Sequence, residues 1–250
     1  MLVNRFVVGR HTVEIHYDWD GVDVRNDYDN FGTICHWHSR YNFGDKIEGS
    51  VQDYLRGLVT MDYNHPEHLF ELQWEKMLEN QYVVLPVALL DHSGLRMWVG
   101  SEHSPFDPGG WDSGQVGFIY ASLEDARRNW MLPKATWKTR IPWSKYTDRE
   151  VDDEGRVITP VKLEPCRISM RDATVKVLTG EIETYDHQLS GECYSYVVLD
   201  PEGEVVDSCC GFLGDSGLAE ARVEGRSAAE SRDEDLDELG VQTCLAECYP

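Results

Sequence analysis

The stretch that decides the predicted fold is YVVLPVALL, residues 82–90, which is the longest apolar run in the chain. A run of this length, bounded by turn residues, is typical of a buried strand. The tetrapeptide DHSG follows at residues 91–94, and residues 95–99 then alternate between apolar and polar side chains. The two runs therefore predict a β-hairpin at the centre of the core.

A third strand and a helix complete this predicted core. The polar segment WDSGQ, residues 111–115, leads into the apolar run VGFIY, residues 116–120. Ser122 then precedes a helical pattern, with Asp125 three residues later, which is a variant of the capping box that begins many helices. Residues 82–131 are therefore predicted to fold as one strand-rich unit that closes with a short helix.

The rest of the chain is predicted to add further hairpins and helices. The predicted hairpins cover residues 5–17 and 193–209, and the predicted helices cover residues 50–61, 65–81 and 168–189. Because hairpins dominate and strands do not alternate regularly with helices, the sequence predicts an α+β fold. We expect a mainly antiparallel sheet covered by two or three helices, with an acidic C-terminal extension.

The composition changes beyond residue 214. Residues 215–250 are rich in Ala, Glu, Arg, Ser and Asp and lack clear apolar periodicity. Segments of this kind remain solvated, either as a helix or without structure. We therefore expect a single α+β domain over residues 1–214, and a weakly structured or helical tail over residues 215–250 that folding does not require.

Charge is the most unusual property of the composition. The net charge is −22, and residues 181–250 contain 18 acidic but only three basic residues. Such a field repels nucleic acid and anionic membranes and favours basic protein surfaces. Adaptation of the source proteome is an equally simple explanation. The predicted binding acids of the tail are Asp233, Glu234, Asp235, Asp237 and Glu238.

The cysteine content and the apolar runs favour a cytoplasmic protein. Seven cysteines are an odd number, no Cys-x-x-Cys pair occurs, and the first residues do not form an apolar signal segment. These features predict reduced thiols. A membrane-spanning helix needs about 20 apolar residues, which no run in this chain provides, so we expect no membrane partner.

A candidate metal site lies in the predicted strand of residues 33–38. Its two-residue period places His36 and His38 on the same face, and imidazoles spaced in this way can bind one ion. No second half of such a site can be identified from spacing. We therefore predict no cofactor and interpret His36 and His38 as part of a polar strand face. The alternative is that they bind a divalent metal ion.

A candidate polar pocket is predicted beside the central hairpin. We expect it where His103 and Asp107 converge with the predicted binding residues, which are Asp91, His92, Asp112, Ser113 and Gln115. Such a group can bind a small ligand, a nucleotide or a metal ion. The alternative is that Asp112 and Ser113 only satisfy backbone groups at the strand end. Residues 91–93 have the side-chain types of a hydrolytic triad, but adjacent residues on a tight turn point apart.

The chain also resembles a known family through two motifs. Residues 90–94 with residues 111–120 form the first motif, DHSG…WDSGQVGFIY, and residues 184–196, TYDHQLSGECYSY, form the second. These segments resemble an uncharacterised family of proteins carried by phages, prophages and plasmids. The resemblance implies the setting of a mobile genetic element but no particular activity. The acidic C-terminal extension departs from the family pattern.

Three classes of function follow from these observations. The first is an accessory protein of a mobile element, acting in the host cytoplasm as an acidic, nucleic-acid-mimicking inhibitor of a host defence complex, such as an anti-CRISPR or anti-restriction protein. Its partner would have a basic, nucleic-acid-binding surface. The alternatives are a metal-assisted hydrolase using His36 and His38, and a small-ligand or nucleotide-binding protein. Because no catalytic motif occurs, the sequence favours binding over catalysis but leaves the question open.

Overall fold

The chain forms thirteen strands and five helices within the part that the computed structural model describes, which is residues 1–18, 22–61, 66–147 and 149–248, with side chains described to residue 233. The strands are β1 (Leu2–Val8), β2 (His11–Tyr17), β3 (Thr33–His36), β4 (Asp45–Lys46), β5 (Tyr82–Asp91), β6 (Leu95–Val99), β7 (Ser113–Ser122), β8 (Arg140–Tyr146), β9 (Glu150–Val151), β10 (Val157–Thr159), β11 (Leu163–Ser169), β12 (Cys193–Leu199) and β13 (Val205–Leu213). The helices are α1 (Val51–Leu58), α2 (Glu67–Gln81), α3 (Leu123–Asn129), α4 (Met170–Leu189) and α5 (Gly214–Cys248).

The chain divides into two compact units. The central unit consists of Val24–Lys145 and Pro165–Ser190. The terminal unit consists of Met1–Asp23, Tyr146–Glu164 and Gly191–Pro250, so it combines both ends of the chain. Each unit has its own main sheet.

The central unit is built on a five-stranded sheet with the strand order β4-β3-β7-β5-β6. The hairpin of β5 and β6 confirms the prediction made from residues 82–99, and β7 pairs antiparallel with the other edge of β5. The short β4 runs parallel to β3. The apolar run of β5 is therefore an interior strand, which explains its continuous hydrophobicity.

A β-bulge interrupts the pairing of β5 with β7. Val87 pairs with Gly117, but the next residue, Ala88, pairs with Gln115, so Val116 is an extra residue in β7. The carbonyl of Val116 accepts a hydrogen bond of 3.0 Å from the backbone N–H of Trp37. A Cβ atom at Gly117 would overlap a backbone carbonyl oxygen of β3, so glycine is required beside the bulge.

Helices cover both faces of the central sheet. On one face, the side chains of Ile119 and Leu178 are fully buried and both lie against Gly32, which places α4 over the sheet. On the other face, the rings of Phe118 and Tyr54 lie with centroids 5.7 Å apart, so α1 packs there. Successive residues of β7 thus point into two different apolar layers.

A serine caps three of the helices in the central unit in the same way. Each serine hydroxyl accepts a hydrogen bond from the backbone N–H of an aspartate three residues later. This arrangement satisfies one of the amide groups that every helix start leaves without a partner. The prediction of a helix start at Ser122 is confirmed. The pairs are Ser50 with Asp53, Ser122 with Asp125, and Ser169 with Asp172.

One buried carboxylate ties α4 to the edge strand β6. Asp186 is 8 % exposed and accepts a hydrogen bond of 2.6 Å from the backbone N–H of Met97. Its other oxygen lies 2.9 Å from Nη2 of Arg96. Asp186 belongs to the motif of residues 184–196, so this motif contributes to packing of the central unit.

The terminal unit is built on a four-stranded antiparallel sheet with the order β1-β2-β12-β13. The central pair joins β2, near the start of the chain, to β12, near residue 195. Helix α5 lies on this sheet, where Ala221 and Ala229 are fully buried. Between them, a Cβ atom at Gly225 would come within 2.8 Å of Cγ1 of Val13. Small residues spaced by four therefore let the helix approach the sheet closely.

Ion pairs join α5 to the rest of the terminal unit. Four pairs with N–O distances between 2.7 and 3.3 Å connect the helix to the turn between β1 and β2, to β13 and to the segment of residues 146–164. Several acidic residues of the C-terminal region are thereby paired within the protein. The pairs are Arg10 with Asp233, Arg149 with Glu220, Arg222 with Asp153, and Arg232 with Asp207.

The structure differs from the predicted division at residue 214. Residues 1–214 were expected to form a single domain, but they contribute to both units, and the helix that begins at Gly214 supplies buried residues to the terminal unit. Strands β2 and β12 are far apart in sequence, so no local pattern predicts that they pair. The packing of α5 relies on alanine and glycine, which do not produce the apolar stripe expected of a core helix.

The α+β class with mainly antiparallel pairing is confirmed, although the chain forms two main sheets where one was expected. Across the described residues, no helix combines the length and the apolar character that crossing a membrane requires. The five cysteines with described side chains are free thiols: Cys35, Cys166, Cys193, Cys209 and Cys210.

Candidate functional site

A cavity of about 320 Å³ opens in the central unit where β5 ends and β7 begins. This volume lies at the lower end of the roughly 300–1,000 Å³ typical of ligand pockets. Because β5 and β7 are antiparallel neighbours, the end of one strand meets the start of the other. The cavity, which we call the strand-end pocket, is lined by His38, Ser39, Arg40, Leu89, Asp91, Trp111, Asp112, Ser113, Gly114, Gln115 and Val116.

Asp107 holds the loop that forms one side of the strand-end pocket. Its carboxylate accepts hydrogen bonds from the backbone N–H groups of Trp111 at 3.2 Å, and of Asp112 and Ser113 at 2.8 Å each. Burial alone would raise the pKa of Asp107, but these bonds and one from the Ser113 hydroxyl outweigh it and lower the pKa. The carboxylate is therefore ionised and fixes the backbone that carries Trp111 and Asp112.

Ser113 supports this loop from inside the protein. Its side chain is buried, its hydroxyl donates to Asp107 at 2.8 Å, and it accepts from the backbone N–H of Ser104 at 3.0 Å. Nδ1 of His103 lies 2.9 Å from the carbonyl oxygen of Ser113, so this nitrogen donates. These side chains stabilise the pocket wall, and their hydrogen bonds point into the loop.

One wall of the pocket combines a carboxylate, a guanidinium and an aromatic ring. Asp91 accepts a hydrogen bond of 2.6 Å from Nη1 of Arg40 and one of 3.2 Å from the hydroxyl of Tyr41. The guanidinium of Arg40 lies 5.9 Å from the centroid of the Tyr41 ring, within the range of cation–π attraction. This wall therefore contains a complete arginine-binding arrangement, formed by the protein's own side chains.

A second part of the pocket lining contains another carboxylate and another ring. Oδ2 of Asp112 lies 2.9 Å from Nδ1 of His92. Asp112 is half exposed, and the neighbouring Trp111 is 90 % exposed. A tryptophan this exposed is uncommon, because its large apolar surface is normally buried or used in binding. The backbone carbonyl of Asp112 also accepts from the N–H of Asp91 at 2.8 Å, which joins the two walls.

The predicted pocket residues do come together. Asp91, Asp112, Ser113 and Gln115 line the strand-end pocket, and His92 contacts it through Asp112. The alternative reading, in which strand-end backbone groups are satisfied by polar side chains, also describes part of the site. Ser113 fits this reading, because its hydroxyl accepts the backbone N–H of Ser104, and Asp107 acts in the same way, whereas the Asp112 side chain contacts His92.

The two histidines predicted as metal ligands occupy different environments. Strand β3 ends at His36, so the two-residue period that would align His36 with His38 stops there. His36 is buried, with Nε2 3.1 Å from Oδ1 of Asn42, whereas His38 accepts backbone N–H groups of Arg40 and Tyr41 at Nδ1. Within the described ranges, no group of three His, Cys, Asp or Glu residues has the arrangement needed to bind a metal ion.

His38 lies in the wall of the strand-end pocket and packs against aromatic rings. Its ring is stacked on Tyr41, with centroids 5.3 Å apart and planes within 15°. Burial lowers the pKa of His38, and the nearby Arg40 guanidinium lowers it further. The neutral ring, with Nδ1 accepting, therefore presents Nε2–H as a donor.

The acids predicted as binding residues in the tail are only partly described. Asp233 accepts hydrogen bonds from the backbone N–H and Nε of Arg10 and lies 3.2 Å from Nδ1 of the buried His11. The contact with His11 is close enough for an ion pair but not aligned for a hydrogen bond. Asp233 is thus engaged inside the terminal unit. The side chains of Glu234, Asp235, Asp237 and Glu238 lie outside the described part of the chain.

Sequence reasoning missed Arg40 and Trp111 as pocket residues. Arg40 follows the end of β3 by four residues, and irregular backbone carries it across to Asp91. The sequence did contain a signal for Trp111, since a loop rich in glycine, proline and aspartate offers few apolar side chains that could bury a tryptophan.

Comparison of the chain with protein-family models, with curated proteins and with solved structures finds no match.

Proposed function

We propose that this protein acts by binding a partner protein that presents basic side chains, and that the strand-end pocket is its contact site. The observation that carries the proposal is the wall formed by Trp111 and Asp112, where an exposed indole adjoins a carboxylate on a loop fixed by Asp107. Tryptophan anchors placed beside charged groups are characteristic of binding hot spots. An exposed ring beside a half-exposed carboxylate supports recognition of a cationic group.

Charge complementarity indicates the kind of partner. Asp91 and Asp112 contribute two carboxylates to the pocket, and Arg40 offsets one of them. The net charge of the whole chain is −22, which attracts basic surfaces over a range set by the ionic strength. Phosphate groups, by contrast, would be repelled by both the pocket and the chain. A basic protein is therefore a better match than a nucleic acid.

The resemblance of the two sequence motifs to proteins of phages, prophages and plasmids suggests a setting for this binding. In its most concrete form, the proposal is an accessory protein of a mobile element that occupies the basic, nucleic-acid-binding surface of a host defence complex in the host cytoplasm. An acidic chain suits such a surface because it competes with the phosphate backbone for the same cations.

A second candidate function uses the same pocket for a small ligand. The exposed ring of Trp111 can stack on a nucleobase, and the side-chain carbonyl of Gln115 and the carboxylate of Asp112 can accept hydrogen bonds from its edge. Two carboxylates favour a nucleoside or another uncharged ring over a nucleotide. The metal-assisted hydrolase receives less support, because among the described residues no group of three His, Cys, Asp or Glu side chains could hold a metal ion with His36 and His38.

The test is affinity capture from a host lysate with the full chain as bait, followed by identification of the captured proteins. We expect a captured protein with a basic surface, whose recovery falls steeply between about 50 and 200 mM salt. Trp111→Ala and Asp112→Asn should each reduce recovery, and Glu183→Ala, an exposed acid on α4, is the matched control. Capture that neither salt nor the pocket variants change would refute the proposal.

The acidic tail needs a separate variant. Replacing Glu234, Asp235, Asp237 and Glu238 with Gln or Asn removes four charges while leaving Asp233 in its ion pair with Arg10. If the tail supplies part of the attraction, capture by this variant should weaken and lose some of its salt dependence. Unchanged capture would limit the contact to the strand-end pocket.

A further inference from the structure

We infer that the strand-end pocket recognises an arginine side chain of the partner, held between the Trp111 ring and the Asp112 carboxylate. This inference rests on the proposed function and specifies the group that the pocket binds. Its basis is the geometry of the pocket walls, the hydrogen-bonding capacity of their side chains, and an arginine that the protein already binds in the same cavity.

The first step is that the protein already binds one of its own arginines, Arg40, at this pocket. There, the guanidinium of Arg40 is held by the carboxylate of Asp91 at 2.6 Å and lies over the ring of Tyr41. Trp111 and Asp112 repeat this combination of aromatic ring and carboxylate. Within the described residues, however, no guanidinium of this chain is placed over the Trp111 ring. The second pair is therefore available to an arginine from another molecule.

The second step is the capacity of the acceptors. His92 contacts Oδ2 of Asp112, and in the described part of the chain no side chain contacts Oδ1. Gln115 uses its Nε2 to donate to the carbonyl of Gly117, which leaves the carbonyl oxygen of its side chain as an acceptor. A guanidinium has five N–H donors in a planar fork and can satisfy several such oxygens together.

The third step separates arginine from other cations. An indole face attracts any cation, but a flat guanidinium also stacks on it. The ammonium of lysine is a compact charge that stays strongly hydrated and makes no paired hydrogen bonds with a carboxylate. Because Trp111 is 90 % exposed, its ring is accessible for stacking without rearrangement of the loop. The pocket should therefore prefer arginine to lysine.

The experiment titrates the full-length protein with short peptides that differ only at one central residue, which is arginine, lysine or citrulline. Citrulline has nearly the shape of arginine but no charge. We expect the arginine peptide to bind most tightly, the lysine peptide several-fold more weakly, and the citrulline peptide at least about tenfold more weakly, as loss of a charge-assisted contact predicts.

Variants of the two walls locate the binding. Asp112→Asn should reduce the affinity for the arginine peptide by about tenfold, because the charge-assisted hydrogen bonds become neutral ones. Trp111→Ala should weaken it by roughly three- to tenfold, and Trp111→Phe should recover part of the loss. Glu183→Ala should leave it unchanged. Melting temperatures of the variants should match the unsubstituted protein, because Trp111 is 90 % exposed and Asp112 is half exposed.

The outcomes distinguish this inference from the proposed function. Equal affinities for the arginine and lysine peptides would overturn the inference, while pocket-dependent capture of a basic protein would still support the proposed function. Binding of guanosine that requires Trp111 and Asp112, with no binding of any peptide, would overturn both in favour of the small-ligand function. An arginine preference that survives both pocket variants would place the arginine site elsewhere and refute the inference.

Discussion

The two units of this protein use their charged side chains in different ways. In the terminal unit, arginines and acids pair with each other across the helix and the sheet, as in Arg149 with Glu220 and Arg10 with Asp233. In the central unit, the strand-end pocket presents Asp112 and Trp111 at the surface, while the loop beneath them is fixed by Asp107. In the terminal unit these pairs join the helix to the rest of the unit, whereas in the central unit Asp112 is half exposed beside Trp111, where we propose that a partner binds.

This difference changes the interpretation of the overall charge. A net charge of −22 by itself indicates neither a binding surface nor a particular partner. Acids of the terminal unit that pair with arginines, such as Asp233, Glu220 and Asp207, contribute little to a directed contact. The carboxylates that we propose for recognition, Asp91 and Asp112, instead lie in the unit with the smaller share of the acidity. The following four predictions test this comparison.

The largest effect is expected for Val87→Asp in the central sheet. Val87 is 1 % exposed and lies in β5 between β6 and β7, so the substitution buries an unpaired carboxylate. We expect a loss of at least about 3 kcal/mol of folding free energy, measured by thermal or denaturant unfolding. Val205→Asp is the matched control, because Val205 is 61 % exposed in β13 and should change stability by less than about 0.5 kcal/mol. Similar melting of the two variants would contradict the assignment of β5 as the core strand.

The second prediction concerns Asp186, a buried acid that packs inside the central unit. Asp186→Ala leaves the buried N–H of Met97 without an acceptor and removes the ion pair with Arg96. We expect a loss of about 1–3 kcal/mol, with Glu183→Ala, an exposed acid one turn away, as the control. A neutral effect of Asp186→Ala would mean that α4 is held on the sheet by its apolar side chains alone.

The third prediction compares a glycine in each unit. An alanine at Gly225 would place its Cβ within 2.8 Å of Val13, and overpacking of this kind costs about 1–2 kcal/mol. An alanine at Gly180, in the interior of α4, meets no neighbouring atom and should stabilise the helix by about 0.5–1 kcal/mol. Opposite shifts in the unfolding midpoint are therefore expected. Stabilisation by both alanines would show that α5 does not press on the terminal sheet.

The smallest effect is expected for Asp233→Asn. Burial alone would raise the pKa of Asp233, but its bonds to Arg10 outweigh this and lower the pKa below its ordinary value of 3.8. A lowered pKa means that the ionised form stabilises the folded protein, fully above pH 3.8 and less as the pH falls through the lowered value. The variant should therefore melt slightly below the unsubstituted protein at pH 7, and the difference should shrink in acid. Glu224→Gln, on the exposed side of α5, removes one charge without breaking an ion pair with Arg10 and is the matched control at pH 7.

The parts of the fold that were predictable from sequence are those that depend on neighbouring residues. The hairpin of β5 and β6, the cap at Ser122 and the hairpin of β12 and β13 each follow from contiguous patterns. The pairing of β2 with β12 does not, because it joins segments about 180 residues apart through backbone hydrogen bonds that any side chains permit. Helix α5 was missed as a core element because its buried face is made of alanine and glycine.

The candidate site was predictable to a similar extent. Asp91 and Asp112 meet because each lies next to the end of a predicted strand, and antiparallel neighbours bring such ends together. Arg40 and His38 reach the pocket through irregular backbone after β3, for which sequence spacing gives no geometry. The alternative of a metal site at His36 and His38 depended on β3 continuing to His38, and the strand ends two residues earlier.

The bulge at Val116 affects both the pairing of β7 and its contact with the segment after β3. Val116 shifts the alternation of side chains in β7 by one position. Gln115 and the residues before it therefore face the side opposite to the one that the same sequence would give them in an uninterrupted strand. Deletion of Val116 would restore regular pairing, with Gln115 still opposite Ala88 and Gly117 still opposite Val87. The same deletion would remove the carbonyl that accepts the N–H of Trp37. The extra residue thus leaves the strand pairs unchanged and joins β7 to the segment that carries His38 and Arg40 into the pocket.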